Sequence, residues 1–521
     1  MLVILHVLII TLTFAVQNDA ARILAVFPLP VISHQSIYRT LTLELLKKGH
    51  DVVVITADPM FTREERTGNL TEIDVHDVSY RLWQDEFKET EIAETNKEDW
   101  KKQRETMLQL LLKLFEQQLK HHDIRDIIKG KTKKFDLLIH EAIFPAALLF
   151  SHVLKVPVVQ INSIGTVTEQ SKKVGGPAHP FLKSGLPDQK IFDLTHWEYL
   201  KEVYNHARTD FTFLEYETQI NNLMKKVAGV HTPSVRDLRD NVAIVLLNGQ
   251  PVWDMNRPVP PNMAFMENGQ KKIETKLPAD IQKFLDSSKN GAIYISFGTK
   301  VEQSLLPPQK VETIVNVLSK LPYNIIWKWD KDELPGQTDN IKIWHSVPEF
   351  EILKHPNMKL FITQGGLQST DQGIKAGIPL LGIPLLSDQK YNVDQYIHHG
   401  MGLGVDIETF DENILRNTIS EIITNINYRQ NILRLRAMMH EHPQSPLDVA
   451  IWWIDYVLKH GTIVYRSTGV DVNWEQLVEI KEVSHYLLIF VTFICIVAFI
   501  LYICINKKTK TNEEYRNYKL R

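Results

Sequence analysis

Short β-branched runs that alternate with amphipathic helical segments constrain the fold of this 521-residue chain more than any other feature. Near its start, a buried strand is predicted at Arg22–Phe27, a helix at 36–48 that Gly49 ends, and a second strand at Asp51–Thr56. A strand, a helix and a strand with short connections form a βαβ unit, whose strands run parallel. The sequence therefore predicts an α/β fold built on a parallel sheet.

The same alternation recurs further along the chain. Strands predicted at Phe135–Ile139 and Pro157–Ile161 flank a helical segment at 145–154. A proline-rich stretch follows at 248–270, and beyond it a second α/β block begins with a strand predicted at Ala292–Ser296. Two α/β domains joined by a linker place a cleft between them, where ligands of such proteins usually bind.

A charged helical excursion interrupts the first block at 84–134, and its amphipathic centre lies at 107–119. Two interpretations stay open for it. The excursion either forms solvated helices on the surface or caps a ligand pocket of the first domain.

Two apolar segments indicate a membrane protein. Leu2–Val16, followed by small residues at Ala20 and Ala21, predicts a secretory signal peptide, with a buried first strand as the alternative. Tyr486–Ile505 has the length that an α-helix needs to cross a bilayer. Basic residues after this span predict a cytosolic tail, so the body lies in a lumen or outside the cell. The sequon at Asn69 agrees with a translocated body.

Charge and cysteine usage exclude two other classes of protein. The formal net charge is −3, from 59 Lys and Arg against 62 Asp and Glu, which argues against a nucleic-acid binder. The two cysteines, Cys495 and Cys504, both lie in the predicted span. A disulfide scaffold is therefore excluded.

Two glycine turns follow predicted strands of the second block. Phe297-Gly298-Thr299 ends one strand, and Gly365-Gly366 lies between a strand at 359–363 and a helix that starts near Leu367. Free backbone N–H groups and the helix dipole at such a start bind phosphate. Each glycine turn alone is a common connection between a strand and a helix in α/β folds. Together with the pair Asp388–Gln389, the two turns form a recognisable pattern.

The segment KLFITQGGLQSTDQGIKAGIPLLGIPLLSDQ resembles the donor-binding signature of the UDP-glycosyltransferases, specifically the membrane-bound insect members. The resemblance covers nearly the whole chain and includes PLPVISHQSIYRTLTLELLKKGHDVVVIT, GGPAHP and ISFGT. It implies a GT-B fold of two facing Rossmann-like domains. The N-terminal domain would bind the acceptor, and the C-terminal domain the UDP-sugar.

The resemblance also implies the catalytic residues. His34 matches the general base, which removes the acceptor hydroxyl proton while the oxygen attacks the anomeric carbon with inversion. Glu141 aligns with the acidic partner that orients the base, where vertebrate relatives have aspartate. No metal ligand and no cofactor are implied, because UDP-sugar is a co-substrate.

The donor site carried over from the family lies in the C-terminal domain. Backbone and side chains at the two turns would approach UDP and its diphosphate, and the DQ pair would bind the sugar hydroxyls. The implied residues are Ser296, Phe297, Gly298, Thr299, Trp344, Gln364, Gly365, Gly366, Ser369, Gln372, Asp388 and Gln389.

Three departures from the family pattern affect this donor site. The tryptophan that stacks on uracil is replaced by Ser346, and the glutamine of the same motif by Glu349. The glutamate that grips the ribose hydroxyls is Gln372 here. Loss of one aromatic stack costs about 1–3 kcal/mol. Trp344 lies two residues before this position. It can replace the lost stack on uracil only if the backbone shifts by two residues.

The sequence predicts the following organisation: a signal peptide at 1–20, an acceptor-binding domain at 21–250, a linker at 251–285, a UDP-sugar-binding domain at 286–440, return helices at 441–485, a transmembrane helix at 486–505 and a basic tail at 506–521.

We expect a hexosyltransferase that moves glucose to a small lipophilic acceptor, as detoxification enzymes do. The expected location is the endoplasmic reticulum membrane, with a single type I span and a luminal glycoprotein body. Pairing with itself or with other family members stays open. The alternative is a non-catalytic relative whose donor site has degraded and which binds small ligands or partners active members.

Overall fold

The computed structural model describes most of the chain, and the fold below refers to these residues. They are 20–61, 68–89, 100–163, 174, 195–254, 256, 258–266, 276–298, 306–385, 389–441, 444–462 and 480–520. The predicted signal peptide lies outside them except for Ala20. The chain divides into two units, Met1–Ser467 and Thr468–Arg521.

A seven-stranded parallel sheet forms the first half of the larger unit. Its order is β3-β2-β1-β4-β5-β6-β7. Apolar residues cover both faces of its central strands, as a parallel sheet between two helical layers requires. The strands are β1 (Arg22–Phe27), β2 (Asp51–Thr56), β3 (Leu70–Asp74), β4 (Leu137–Glu141), β5 (Val158–Asn162), β6 (Val242–Asn248) and β7 (Met263–Met266).

Seven helices accompany this sheet in the described residues: α1 (Ile32–Lys47), α2 (His76–Glu89), α3 (Trp100–Gln118), α4 (His122–Ile128), α5 (Leu149–Leu154), α6 (His196–Ala228) and α7 (Val235–Leu238). Helix α1 begins four residues before the predicted start at 36. His34 therefore lies in the first turn of a helix, where its backbone N–H bonds to the carbonyl of Val31.

The charged excursion contributes to the core. Helix α3 buries Leu111, Leu114 and Phe115 in the same apolar cluster as Ile220 of α6. The interpretation of 84–134 as merely solvated helices is therefore wrong for α3, because its apolar stripe packs inward. Residues 90–99 of the excursion lie outside the described residues.

A six-stranded parallel sheet forms the second half, in the order β10-β9-β8-β11-β12-β13. Its strands are β8 (Ala292–Ser296), β9 (Asn324–Lys328), β10 (Ile341–Trp344), β11 (Met358–Thr363), β12 (Leu380–Gly382) and β13 (Gly402–Gly404). Its helices are α8 (Ala279–Asp286), α9 (Pro308–Leu318), α10 (Glu349–Leu353), α11 (Leu367–Ala376), α12 (Gln389–His398), α13 (Glu412–Thr424) and α14 (Ile426–His440).

Helix α15 (Pro446–His460) returns from the second half to the first. Its Ala450, Ile454 and Val457 join the apolar cluster on one face of the N-terminal sheet. The Lys48 ammonium bonds to Asp455 of α15 at 2.5 Å. Helix α15 therefore completes the core of the first domain.

The smaller unit contains helix α16 (Ile480–Lys519). Its segment Ser484–Lys508 is long and apolar enough to cross a membrane, and it is the one such helix among the described residues. This agrees with the span predicted at 486–505.

Candidate functional site

The first site lies where the strand order of the N-terminal sheet reverses, between β1 and β4. Ligands of open α/β sheets bind at the carboxyl ends of strands at such a switch point. His34 follows β1 on α1, and Glu141 is the last residue of β4. The His34 Nδ1 atom lies 2.6 Å from Glu141 Oε1. The structure thus brings together the two predicted catalytic residues, and the extra methylene of glutamate does not prevent contact.

A third side chain, Ser163, joins this pair. It follows β5, the neighbour of β4 in the sheet. Its hydroxyl donates to Glu141 Oε1 at 2.7 Å and lies 2.8 Å from His34 Nδ1. All three side chains are buried. Strands β1, β4 and β5 therefore deliver one compact polar group to the same edge.

The carboxylate of Glu141 is completely buried. Glu141 Oε2 is buried and meets no hydrogen-bond partner among the described residues. The phenol of Tyr38 is buried beside the carboxylate, and its ring stacks on Phe27 with centroids 3.9 Å apart. Burial and then the Glu141 charge raise the pKa of Tyr38 well above its ordinary value, so the phenol stays neutral.

His140 precedes Glu141 on β4 and is completely buried. Its Nδ1 atom lies 2.9 Å from the Glu141 carbonyl oxygen, and its Nε2 lies 3.1 Å from the Gln160 amide nitrogen. A neutral ring with its proton on Nδ1 satisfies both contacts, since Nδ1–H donates and Nε2 accepts. Burial lowers the pKa of His140 to about 4. His140 is thus a neutral structural neighbour of the site.

The second site lies where the strand order of the C-terminal sheet reverses, between β8 and β11. Ser296, Phe297 and Gly298 come from the end of β8, and Gln364, Gly365 and Gly366 follow β11. Gly298 has a φ of +82°, and a Cβ there would lie 2.2 Å from Gln364 Nε2. The two predicted donor turns are therefore in contact, and only glycine allows the Gln364 side chain to lie across Gly298.

Helix α11 begins directly at this turn. Gly366 is its N-cap and makes no side-chain capping bond. The first N–H groups of a helix have no intrahelical partners, so such a start attracts an anion. The structure thus supplies the feature from which phosphate binding is predicted.

A half-buried polar group lies beside this helix start. The Ser369 hydroxyl donates to Glu349 Oε1 at 2.8 Å, and the Tyr294 hydroxyl donates to Glu349 Oε2 at 3.2 Å. Burial raises the pKa of Glu349, while the Ser369 bond and the nearby Lys328 charge oppose that rise. Burial also lowers the pKa of Lys328. Glu349, which stands where the family motif has glutamine, therefore has hydrogen-bond partners from β8 and α11.

The other predicted donor residues have different surroundings. Phe297 points into the core, so only its backbone is available to a ligand. The Trp344 indole N–H donates to Asp280 of α8 at 2.9 Å, and the ring packs on Phe284 with centroids 6.0 Å apart. Trp344 is thus already held by α8.

Gln389 and Gln372 also belong to the predicted set. Gln389 is buried, and its side-chain oxygen accepts from the Leu385 N–H at 2.8 Å. The side-chain oxygen of Gln372 is buried and has no hydrogen-bond partner among the described residues. Thr299 and Asp388 lie outside those residues. The ligand roles of all these positions stay predictions.

The two switch points face each other. Gln368 on α11 donates from Nε2 to the Ser36 hydroxyl on α1 at 3.3 Å. Ser36 is two residues beyond His34, and Gln368 is two residues beyond Gly366. A molecule held at the start of α11 would therefore lie next to the His34 side chain at the start of α1.

Sequence reasoning missed Ser163 and the partners of Glu349. Ser163 carries one available signal, because it is a polar residue directly after a buried strand that neighbours β4. The Glu349 partners carry none, since Tyr294, Lys328 and Ser369 lie on three separate elements that only the fold brings together.

Two Rossmann-like domains with facing switch points define the GT-B class of glycosyltransferases. Solved structures of this class match the fold. A glycosyltransferase of kitacinnamycin covers 84% of this chain and 99% of its own, with a TM-score of 0.58 at 16% identity. A UDP-glucose:anthocyanidin 3-O-glucosyltransferase in complex with UDP covers 84% and 98%, with a TM-score of 0.55 at 15% identity.

The chain belongs to the UDP-glucoronosyl and UDP-glucosyl transferase family, whose model matches residues 23–514. It is 30% identical over 473 residues to an ecdysteroid UDP-glucosyltransferase of Spodoptera littoralis nuclear polyhedrosis virus, covering 87% of this chain and 91% of that protein. It is 29% identical over 487 residues to the UDP-glycosyltransferase UGT5 of the insect Dactylopius coccus, covering 91% and 90%. The protein is therefore a glycosyltransferase.

Proposed function

We propose that this enzyme transfers glucose from UDP-glucose to a hydroxyl group of a small lipophilic acceptor, with inversion at the anomeric carbon. The observation that carries the proposal is the 2.6 Å contact between His34 Nδ1 and Glu141 Oε1 at a switch point facing the donor turns. A buried carboxylate on Nδ1 makes the opposite nitrogen, Nε2, the proton acceptor.

In the proposed reaction, His34 Nε2 takes the proton of the acceptor hydroxyl as its oxygen attacks the anomeric carbon. The bond from that carbon to the diphosphate oxygen breaks, and UDP leaves with the electron pair. Glu141 keeps the imidazole oriented and stabilises the imidazolium that forms. Backbone N–H groups at the start of α11 oppose the negative charge on the departing diphosphate.

Glucose and a lipophilic acceptor are supported by the relatives. Several are named UDP-glucosyltransferases, and the viral ones are named for ecdysteroids, which are hydroxylated steroids. We propose the acceptor class at this level only: an apolar ring system that presents a hydroxyl group.

We also propose that the body lies in the lumen of the endoplasmic reticulum, anchored by one type I span. The apolar segment Ser484–Lys508 supports an anchor. The basic residues that follow the predicted span support the orientation. Cleavage of a signal peptide and glycosylation of Asn69, which is exposed in the structure, would support a translocated body.

Calorimetry on the full chain in nanodiscs tests the donor proposal first. UDP and UDP-glucose should both bind with micromolar dissociation constants, while uridine, which lacks the diphosphate, should bind more weakly. Release of UDP in the presence of a panel of hydroxylated steroids and phenols then tests transfer. Absence of binding and of thermal stabilisation at millimolar UDP contradicts the proposal and supports the non-catalytic alternative.

A further inference from the structure

Ser163 has a place in the site that the His34–Glu141 pair alone does not explain. Its hydroxyl oxygen and the two reactive atoms of the pair form a closed triangle. The sides are 2.6 Å between His34 Nδ1 and Glu141 Oε1, 2.7 Å between Ser163 Oγ and Glu141 Oε1, and 2.8 Å between Ser163 Oγ and His34 Nδ1. Every side is short enough for a hydrogen bond, but the triangle holds few protons to form them.

The number of available protons decides which atom donates and which accepts in each of these three contacts. Ser163 has one hydroxyl proton, and the carboxylate of Glu141 is the stronger acceptor for it because a charge-assisted bond is favoured. Because the hydroxyl donates its one proton to Glu141, Ser163 Oγ can only accept a hydrogen bond from His34 Nδ1. Both neighbours of Nδ1 are then acceptors, so the neutral imidazole carries its proton on Nδ1 and has Nε2 as its acceptor nitrogen.

The backbone of Ser163 is held in place. Its carbonyl oxygen accepts from the Asn248 side-chain amide at 3.0 Å, at the end of β6. Glu141 also needs this hydroxyl, because it is completely buried and no hydrogen-bond partner meets its other carboxylate oxygen among the described residues. Ser163 is therefore a donor to this buried carboxylate, and its backbone is held in place.

We propose that Ser163 is a positioning residue of the catalytic base: its hydroxyl, donating to Glu141 and accepting from His34, holds the His34 proton on Nδ1. This rests on the proposed function of His34 as the base. Glu141 also favours this orientation of the ring. Without Ser163, Nδ1 loses one of its two acceptors, so the ring turned by 180°, with Nδ1 away from Glu141, gains population.

The tautomer of His34 gives a test that does not need turnover. The full chain, labelled with ¹⁵N-histidine in nanodiscs, is compared as wild type, S163A, S163C and S163T, with H34Q to assign the His34 signals. The wild type should show a neutral ring with an unprotonated Nε2. In S163A a fraction of His34 should carry its proton on Nε2 instead of Nδ1. S163T keeps a hydroxyl and should show the wild-type pattern. S163C, nearly isosteric with a poor donor, takes the place of S163A if that variant does not fold.

Kinetics give the second test. A positioning role predicts that kcat falls roughly 10- to 100-fold in S163A, with KM for UDP-glucose and acceptor within about 2-fold, and that S163T recovers most of the loss. An unchanged His34 tautomer in S163A and S163C overturns the proposal, whatever turnover does. If the wild type lacks turnover, the proposed function fails, while the tautomer comparison still decides the role of Ser163.

Discussion

The Ser36 hydroxyl and the Gln368 side-chain amide lie 3.3 Å apart although 332 residues separate them in the chain. Each residue is two positions beyond a key residue of its domain, His34 on one side and Gly366 on the other. This hydrogen bond therefore shows how closely the two switch points, which we propose hold the acceptor and the donor, approach each other. A transfer reaction requires that approach, because the attacking oxygen and the anomeric carbon must come into contact.

Breaking the bond should weaken both donor use and stability by modest amounts. A double-mutant cycle of S36A, Q368A and S36A/Q368A should give a coupling energy of about 0.5–1 kcal/mol in the free energy of unfolding. KM for UDP-glucose should rise in each single variant by roughly 2- to 5-fold. Additive single effects in both measurements would show that the two side chains do not act together.

His34, the proposed base, should be indispensable for turnover and not for donor binding. H34Q replaces the imidazole by a neutral amide that can still donate to Glu141, so the fold keeps a partner for the buried carboxylate. We expect kcat to fall roughly 10³- to 10⁴-fold while the dissociation constant of UDP stays within about 2-fold. H34A serves as the contrast, because it removes the His34 contact of the buried Glu141 carboxylate and leaves it the Ser163 hydroxyl, and should lower the melting temperature as well. Near-wild-type turnover in H34Q would exclude His34 as the base.

The fold was predictable where strands are apolar on both faces. The strands predicted at Arg22–Phe27, Asp51–Thr56 and Ala292–Ser296 have these same limits in the structure. The prediction at Phe135–Ile139 was shifted, because β4 ends in the buried polar residues His140 and Glu141. A search for apolar runs stops before such residues. Here both are buried, with hydrogen-bond partners for both ring nitrogens of His140 and for Oε1 of Glu141.

The site was predictable to the extent that its residues are adjacent in sequence to recognisable turns. His34 and Glu141 come from the family resemblance, and the structure brings them into contact. Ser163 depends on β5 lying next to β4, which is a property of strand order and not of any local pattern. Glu349 looked like a lost glutamine in the sequence, whereas its hydrogen bonds from Ser369 and Tyr294 show a carboxylate that the fold accommodates.

Gly298 should be intolerant of any side chain. In G298A the Cβ meets Gln364 Nε2 at 2.2 Å, and the φ of +82° is strained for alanine. We expect a loss of about 1–3 kcal/mol in the free energy of unfolding and at least a ~10-fold loss in UDP affinity. The double variant G298A/Q364A removes the collision and should recover part of the stability. G68A is the matched control, since a Cβ at Gly68 meets nothing within 4 Å.

We expect that the glutamate of position 349 and the glutamine of position 372 can be exchanged. Gln372 lies one helical turn beyond Ser369, which bonds to Glu349, so Q372E alone brings two carboxylates close together. We expect Q372E to lose about 1 kcal/mol of stability through like-charge repulsion. E349Q/Q372E should regain it and bind UDP roughly 5-fold more tightly, because it restores the family arrangement at the ribose. Equal stability of Q372E and the double variant, measured by thermal unfolding, would show that the two positions do not interact.

The stability of the first domain should depend on pH through His140. Burial lowers the pKa of His140 to about 4 in the folded protein, whereas the unfolded chain has the ordinary value near 6.5. Above pH 6.5 both states are neutral, and no stability is lost. As the pH falls from 6.5 towards 4, only the unfolded state takes up the proton, so up to about 3 kcal/mol is lost.

Urea unfolding of the wild type and H140Q between pH 4 and 7.5 measures this loss. H140Q cannot titrate and should show a flatter dependence of unfolding free energy on pH, whatever its absolute stability. H122Q, at an exposed position on α4, should keep the wild-type slope. If H140Q and the wild type show parallel curves, the proton uptake belongs to another group, and His140 is not the neutral buried neighbour of Glu141 that its two hydrogen bonds indicate.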